Sequence, residues 1–306
     1  ATKSMSKADL QKFRYSGFLF SVKSNINGIF VSFVFQDYNY ADLEVSGIVK
    51  DKIFNGQLDV SDTNLKLNFK GLVDFSDTEN IYDFSAIIDH ANLSAMKLVE
   101  RDEISILKGE MDIDMKGTNI DDVYGVLSFK DAFYVNQNNS YDFKDFEITS
   151  TFDKNNSRSI KLNSPEIVNG SLKGKFEINE LPKLIGNSVG DIYTKFSSYQ
   201  VKENQYLDFN FEIYSKIIEL FYPALQLGSN TKFKGRLDSD PNNFKLTFKS
   251  PNIKVDNFFA SGIKVQLINN NPLFNSYVEV DSLATGHYNI SKFNLINVTL
   301  NDTLYV

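Results

Sequence analysis

The chain has 306 residues, 42% of them hydrophobic, so it is long enough and apolar enough to bury a core and is not disordered. Its net charge of −7 argues against a nucleic-acid partner and against docking on an anionic membrane surface through a dense basic run. The absence of cysteine from the sequence excludes disulfides and thiolate chemistry.

Alternation of apolar and polar residues predicts β-strands along most of the chain. The longest run is NLKLNFKGLVDFS, residues 64–76, in which every second residue is apolar except Gly71. Its alternation is held over about eleven residues, whereas strands of globular proteins usually run about 5–6 residues. This pattern is typical of a long strand with one apolar face and one mostly polar face.

Similar but shorter runs follow along the chain, separated by short turns rich in Asn, Asp and Gly. Such spacing predicts a meander of antiparallel hairpins. The intervening residues are polar nearly everywhere, which indicates a sheet covered on one side only. The clearest of these runs are GEMDIDMKG (109–117), YLDFNFEIY (206–214), NFKLTFKS (243–250) and SGIKVQL (261–267).

Helical spacing interrupts this rhythm in a few places. It is clearest in LPKLIGNSVGDIYTKF (181–196) and in YSKIIELFYPAL (214–225), where Pro223 ends the helix. HANLSAMKL (90–98) predicts a single turn, and SKADLQKF (6–13) a short helix capped by Ser6.

The two ends of the sequence suggest a segment of a longer protein. ATKSMSKADLQKF has no apolar core of a signal peptide, and NVTLNDTLYV stops within strand-like alternation. No stretch reaches the roughly 18–20 apolar residues of a membrane-spanning helix. We therefore expect any membrane anchor and targeting signal to lie outside this sequence.

No constellation of residues predicts catalysis or a metal site. His90 and His287 lack a flanking metal-ligand pattern. Asp112 and Asp114 lie on the polar side of an alternating strand rather than in a calcium-binding loop. Nucleophile-elbow, P-loop and dinucleotide-binding motifs are all missing from the sequence. We expect a protein that is not an enzyme and needs no cofactor.

Three architectures remain for the one-sided strands. The apolar side could be the core of a closed β-sandwich or barrel, the lipid-facing side of an outer-membrane barrel, or the lining of an open trough. The helical interruptions fit an outer-membrane barrel poorly. An open trough would cost about 25 cal/mol for each Å2 of apolar lining left in water, so it needs an apolar occupant such as acyl chains. The long strands and the 27 phenylalanines favour the trough slightly, but the pattern does not separate trough from sandwich.

The stretch 36–98 resembles the C-terminal part of TamB proteins from Bacteroidota. The resemblance is carried by the tyrosines at 38 and 40, the Phe54-Asn55-Gly56 turn, the phrase GLVDF at 71–75, YDF at 82–84 and ANL at 91–93. The segments 115–134 and 160–178 and the two helical interruptions are similar to the same family, which is related to the AsmA-like proteins.

This resemblance implies an elongated open β-groove, a curled antiparallel sheet with an apolar interior and one to three short helices. It implies a periplasmic, bridge-like segment that shields lipid acyl chains during phospholipid transport between the inner and outer membranes of a Gram-negative bacterium. The whole protein would be anchored in the inner membrane through a missing N-terminal segment. The alternative is a non-enzymatic assembly factor for outer-membrane β-barrel proteins that acts with an Omp85-type partner.

We accordingly expect a β-groove segment over residues 1–180, a helical interruption with an intervening strand over 181–227, and a continuing β-groove over 228–306. Phe221 and Leu225 would plug or cap the groove. The family provides no catalytic residues. The functional residues that the resemblance implies are therefore the apolar residues that line the groove. The predicted lining residues are Leu65, Leu67, Phe69, Val73, Phe75, Met111, Ile113, Met115, Leu127, Phe129, Phe209, Phe211, Phe244, Leu246 and Phe248.

Overall fold

A computed structural model of the chain describes residues 24–164, 166–190, 192, 197–271, 273–300 and 303–306. Strands account for most of this part of the chain and belong to an open antiparallel sheet. The predicted fold class, a mostly β protein with an open antiparallel sheet and a few short helices, is confirmed.

Eighteen strands and two α-helices are described. The strands are β1 (Ser24–Phe35), β2 (Tyr38–Lys50), β3 (Ile53–Ser61), β4 (Leu65–Asp74), β5 (Ile81–Asn92), β6 (Ser105–Lys116), β7 (Tyr124–Asn136), β8 (Ser140–Phe152), β9 (Arg158–Asn163), β10 (Val168–Lys175), β11 (Tyr206–Ile213), β12 (Leu225–Leu227), β13 (Thr231–Asp238), β14 (Lys245–Val255), β15 (Phe258–Ile268), β16 (Ser276–Ala284), β17 (Asn289–Leu300) and β18 (Thr303–Tyr305). The helices are α1 (Leu181–Gly190) and α2 (Ser215–Phe221), and short 3-10 turns occupy Ile178–Glu180 and Pro241–Asn243.

Contacts divide the chain into two compact units. The first unit consists of Ala1–Asn119 and Leu127–Asp142, and the second of Ile120–Val126 and Phe143–Val306. The predicted division into segments 1–180, 181–227 and 228–306 stays a prediction.

In the first unit, strands β1 to β6 pair one after another in an antiparallel meander. The meander of antiparallel hairpins that the sequence predicts is therefore confirmed in this unit. Neighbouring strands stay in register along most of their length. The apolar positions of one strand therefore lie opposite the apolar positions of the next. Residues of like character consequently lie side by side on the same face.

In the second unit, antiparallel pairing runs from β8 through β9, β10 and β11 to β13 and then onward to β18. The short strand β12 pairs with the far end of β14. Helix α2 and β12 lie between β11 and β13 in sequence, and α1 precedes β11.

The helical predictions hold in part. Helix α1 begins at Leu181 as expected and ends at Gly190, and residues 191 and 193–196 lie outside the described residues. Helix α2 ends before Pro223, as the proline requires. Residues 93–97 form the expected turn. The helix predicted over residues 6–13 lies outside the described residues.

Three glycines lie side by side across the middle of the first unit. Gly47 is opposite Gly56, and Gly56 is opposite Gly71. Gly71 has φ +149°, which side-chain-bearing residues rarely adopt, and faces Phe84 on β5. A Cβ at Gly71 would lie 2.4 Å from the carbonyl oxygen of Asp83. Only glycine lets the backbones of β4 and β5 keep this approach.

Replacing Gly71 with alanine should therefore destabilise the first unit by about 2–4 kcal/mol, since the new methyl group meets backbone and the φ angle is strained. Gly28→Ala is the matched control, because a Cβ there would meet nothing within 4 Å. Urea unfolding of the two variants measures the difference. Equal stability of Gly71→Ala and the native chain would show that the strands can separate at this point at no cost.

Candidate functional site

The register of the first unit gathers the predicted lining residues of β4 and β6 onto one continuous face. Phe69 lies opposite Leu58 of β3 and Ala86 of β5, and Ala86 in turn lies opposite Met111 of β6. Parallel rows repeat this arrangement on either side. We call this surface the β2–β6 apolar face, and its larger members are Val45, Val49, Phe54, Leu58, Leu65, Leu67, Phe69, Val73, Tyr82, Phe84, Ile88, Leu107, Met111, Ile113 and Met115.

Most of the β2–β6 apolar face is only half-buried. The exceptions are Ala86, which is small, and a corner formed by Leu43, Val60 and Ala91. Within the described part of the first unit, strands β2 to β6 pack closely on their neighbours in the sheet, and the described helices α1 and α2 pack against strands of the second unit instead. The lateral neighbours in each row therefore supply most of the cover that these side chains have.

The buried corner is covered by the turn that follows β5. Met96 is 1% exposed and packs against Tyr40, Leu43, Val60 and Ala91, with Leu93 beside them. The turn is closed by hydrogen bonds from the backbone N–H of Met96 to the carbonyl of Asn92 and from that of Leu98 to the carbonyl of Leu93. This turn thus ends the open part of the face on one side.

Aromatic rings line the middle of the open part. The ring centroids of Phe69 and Phe84 are 4.7 Å apart, and those of Phe54 and Phe69 are 5.9 Å apart. Phe84 lies opposite Gly71, so a large ring stands beside a position with no side chain. The predicted lining residues include Phe69 but not Phe54 or Phe84. Both of these lie at apolar positions of the alternation in β3 and β5, which could have identified them.

The opposite side of the same strands is mainly polar and acidic. Asp83 lies opposite Asp114, and Ser85 lies opposite Asp112. The apolar exceptions on this side include Ile48 and Ile87, which are 41% and 45% exposed, and the half-buried Ile53, Leu72 and Ile81. The one-sided character predicted from the sequence is therefore present across all five strands.

The remaining predicted lining residues of the first unit lie at its margins. Phe75 is 39% exposed and lies one residue beyond the end of β4. Leu127 and Phe129 are half-buried on β7. The ammonium of Lys130 lies 3.5 Å from a carboxylate oxygen of Asp112 on the polar side, so the adjacent Phe129 belongs to the apolar side.

The second unit differs because a helix covers part of its apolar side. Leu184 of α1 is fully buried. Leu181 and Val189 of the same helix pack against a core that contains Leu207, Leu237 and Phe244. The predicted lining residues Phe209 and Phe244 are 7% and 2% exposed in this core. The other three predicted lining residues of this unit are half-buried, and they are Phe211, Leu246 and Phe248.

Polar contacts hold α1 in this position. The side-chain amide of Asn187 donates to the carbonyl of Tyr199 at 2.9 Å and accepts from its N–H at 2.7 Å. The side chain of Asn269 donates to the carbonyls of Ser188 and Pro241. Phe209 and Phe244 are thus packed between a sheet and a helix fixed to it.

A buried carboxylate supports the capped corner of the first unit. Asp62 is 5% exposed and accepts hydrogen bonds from the Tyr38 hydroxyl at 2.6 Å and from the backbone N–H groups of Ala41 and Asn64. Burial acts to raise the pKa of Asp62, but these hydrogen bonds outweigh it and hold the pKa below its usual value. The carboxylate fixes the entry to β4 beside the open face.

The described residues contain no group of three or more His, Cys, Asp and Glu side chains placed to hold a metal ion. None of the helices among them is long and apolar enough to cross a membrane. Comparison of the chain with protein-family models, with curated proteins and with solved structures finds no match. The chemical character of the site therefore rests on its own geometry, a half-buried apolar face.

Asp62→Asn should lower the free energy of unfolding at neutral pH by about 1–3 kcal/mol, because a charged acceptor of several hydrogen bonds is lost. Since the pKa of Asp62 is lower in the folded state, its contribution is present above the unfolded value of about 3.9 and is lost as the pH falls through the folded value. Urea unfolding across this acidic range should show a shallower pH dependence for Asp62→Asn than for the native chain.

The exposed Asp89 provides the control, and Asp89→Asn should change stability by less than about 0.5 kcal/mol. An unchanged pH profile in Asp62→Asn would contradict the account of this corner.

Proposed function

We propose that the chain is a periplasmic, bridge-like segment whose β2–β6 apolar face shields lipid acyl chains during phospholipid transport between the inner and outer membranes. The head groups would remain in water beside the face. The segment would belong to an envelope-spanning protein of a Gram-negative bacterium, anchored in the inner membrane. It has no catalytic role in this proposal.

The observation that carries the proposal is the half-buried state of the β2–β6 apolar face. Five strands spaced about 4.8 Å apart present roughly 20 Å of continuous apolar surface across the rows. In water such a surface costs about 25 cal/mol for each exposed Å2, so an apolar occupant gains the same amount by covering it. Acyl chains suit it because the side chains in the rows are apolar apart from the Tyr82 hydroxyl, which accepts a hydrogen bond from the side chain of Asn80.

The second unit supports a restricted version of the predicted lining. Phe209 and Phe244 already have protein partners under α1, so their burial is ordinary core packing. We therefore place acyl chains on the first unit, where Phe69, Met111 and Ile113 are half-buried. The resemblance to TamB proteins agrees with this function and stands as part of the same proposal.

The double variant Phe69→Asp/Phe84→Asp should lose lipid binding more than tenfold while the sheet remains folded. Each phenylalanine contributes about 1.5–3 kcal/mol when its apolar surface is covered, and 1.4 kcal/mol corresponds to tenfold in affinity. Uptake of a fluorescent phospholipid from vesicles measures binding, and circular dichroism with thermal unfolding reports the fold.

The matched control is Asn55→Asp/Ser85→Asp, which adds the same two charges to the exposed polar side of neighbouring strands. Wild-type lipid uptake by the phenylalanine variant would refute the acyl-chain role. Global unfolding of that variant would also count against it, because it would identify the face as closed core.

A native chain that takes up no lipid, yet accelerates insertion of outer-membrane barrel proteins with an Omp85-type partner, would favour the assembly role instead.

A further inference from the structure

A cluster of cations lies on the polar side of the second unit, opposite the face that α1 covers. Three adjacent strands contribute to it at positions that share one face. We call it the basic face, and it consists of Lys232, Lys234 and Arg236 on β13, Lys245 and Lys249 on β14, and Lys264 on β15. It forms within a chain whose net charge is −7.

Three of these lysines stand in one row across the sheet. Lys232 lies directly opposite Lys249, and Lys249 lies directly opposite Lys264. Like charges in directly opposed positions are destabilising. Glu212 and Glu279 lie at the two ends of the row, so Lys249 in the middle has a lysine on each side.

The protein neutralises only part of this charge. Arg236 pairs with Asp208 and Asp238 at 3.0 and 3.1 Å and lies over the ring of Tyr206. Lys264 lies 3.6 Å from Glu279. The other four cations have no carboxylate within 4.0 Å in the part of the chain that the structure describes, and they are Lys232, Lys234, Lys245 and Lys249.

One row of residues beside the three lysines is uncharged and amphipathic beyond β13. The row next to the lysines runs from Thr247 through Gln266 and Tyr277 to Ile296, which is 51% exposed. A shallow depression of ≈ 420 Å³ opens beside them, with Lys234, Arg236 and Lys245 among its lining residues. Cations, a tyrosine and an exposed isoleucine together suit the head-group layer of a membrane.

We propose that the basic face docks on the surface of a bilayer that contains anionic phospholipids. Its six cations spread over three strands in two dimensions. An extended acidic peptide would neutralise one row and leave the others, whereas anionic head groups diffuse laterally and gather under every cation. The net charge of −7 and the lack of a dense basic run argue against such docking at the level of sequence, but pairing of β13, β14 and β15 assembles the cluster from separate segments.

The proposal uses a different face and a different unit from the acyl-chain proposal, and neither depends on the other. The triple variant Lys234→Glu/Lys245→Glu/Lys249→Glu tests it by co-sedimentation with phosphatidylcholine vesicles, with or without phosphatidylglycerol. Each lysine near an anionic surface contributes about fivefold in affinity, so binding to the phosphatidylglycerol vesicles should fall about 100-fold or more. Binding of the native chain should weaken as salt is added.

The charge-matched control is Lys66→Glu/Lys70→Glu/Lys108→Glu, which changes three exposed lysines of the first unit. It should bind phosphatidylglycerol vesicles within about threefold of the native chain if the effect is local to the basic face. The corresponding glutamine variants remove charge without adding repulsion, and they replace the glutamate variants if those fail to fold. Phe69→Asp/Phe84→Asp should still bind the vesicles, which separates this proposal from the acyl-chain role.

Equal losses in both triple variants would overturn the proposal. So would equal binding of the native chain to vesicles with and without phosphatidylglycerol. Binding to soluble polyglutamate without binding to the vesicles would also overturn it and would identify an acidic polypeptide as the partner.

Discussion

Period-two alternation held in register across neighbouring strands is the constraint on which the rest of this structure depends. In a β-strand, alternate side chains point to opposite sides of the sheet. Pairing in register therefore joins the apolar positions of successive strands into one continuous surface. In the first unit the result is a broad apolar surface on one side of the sheet and a mainly polar and acidic surface on the other. A one-residue slip between β4 and β5 would place Phe69 among polar neighbours, so the apolar rows themselves hold the register.

Strands in both units have one apolar and one polar side, but different parts of the chain cover the apolar side in each unit. Helix α1 lies over part of the apolar side of the second unit, where Phe244 is buried and the sheet and helix form the two layers of an ordinary core. Among the described residues of the first unit, the turn around Met96 covers one corner, and Phe69 and Phe84 remain half-buried. A half-buried apolar surface is the physical basis on which we propose an acyl-chain occupant for the first unit. The polar sides differ as well, since three strands of the second unit carry the cations of the basic face.

The strands and their one-sidedness could be predicted from the sequence because alternation is a local property. NLKLNFKGLVDFS does form one long strand, β4, and Gly71 is its gap. What covers a face is not local. The burial of Phe209 and Phe244 depends on where α1 packs, and the partners of Asp62 come from segments up to 24 residues away. The basic face likewise depends on pairing between strands, so no single window of sequence contains it.

The most direct test of the account compares two adjacent residues of β6 that face opposite sides. Since the sequence has no cysteine, Met111→Cys and Glu110→Cys each give one site for an environment-sensitive fluorophore. Phospholipids brominated along their acyl chains quench a fluorophore that they touch. The account predicts strong quenching at position 111 and little at position 110. Equal quenching at the two positions, or none at position 111, would contradict it.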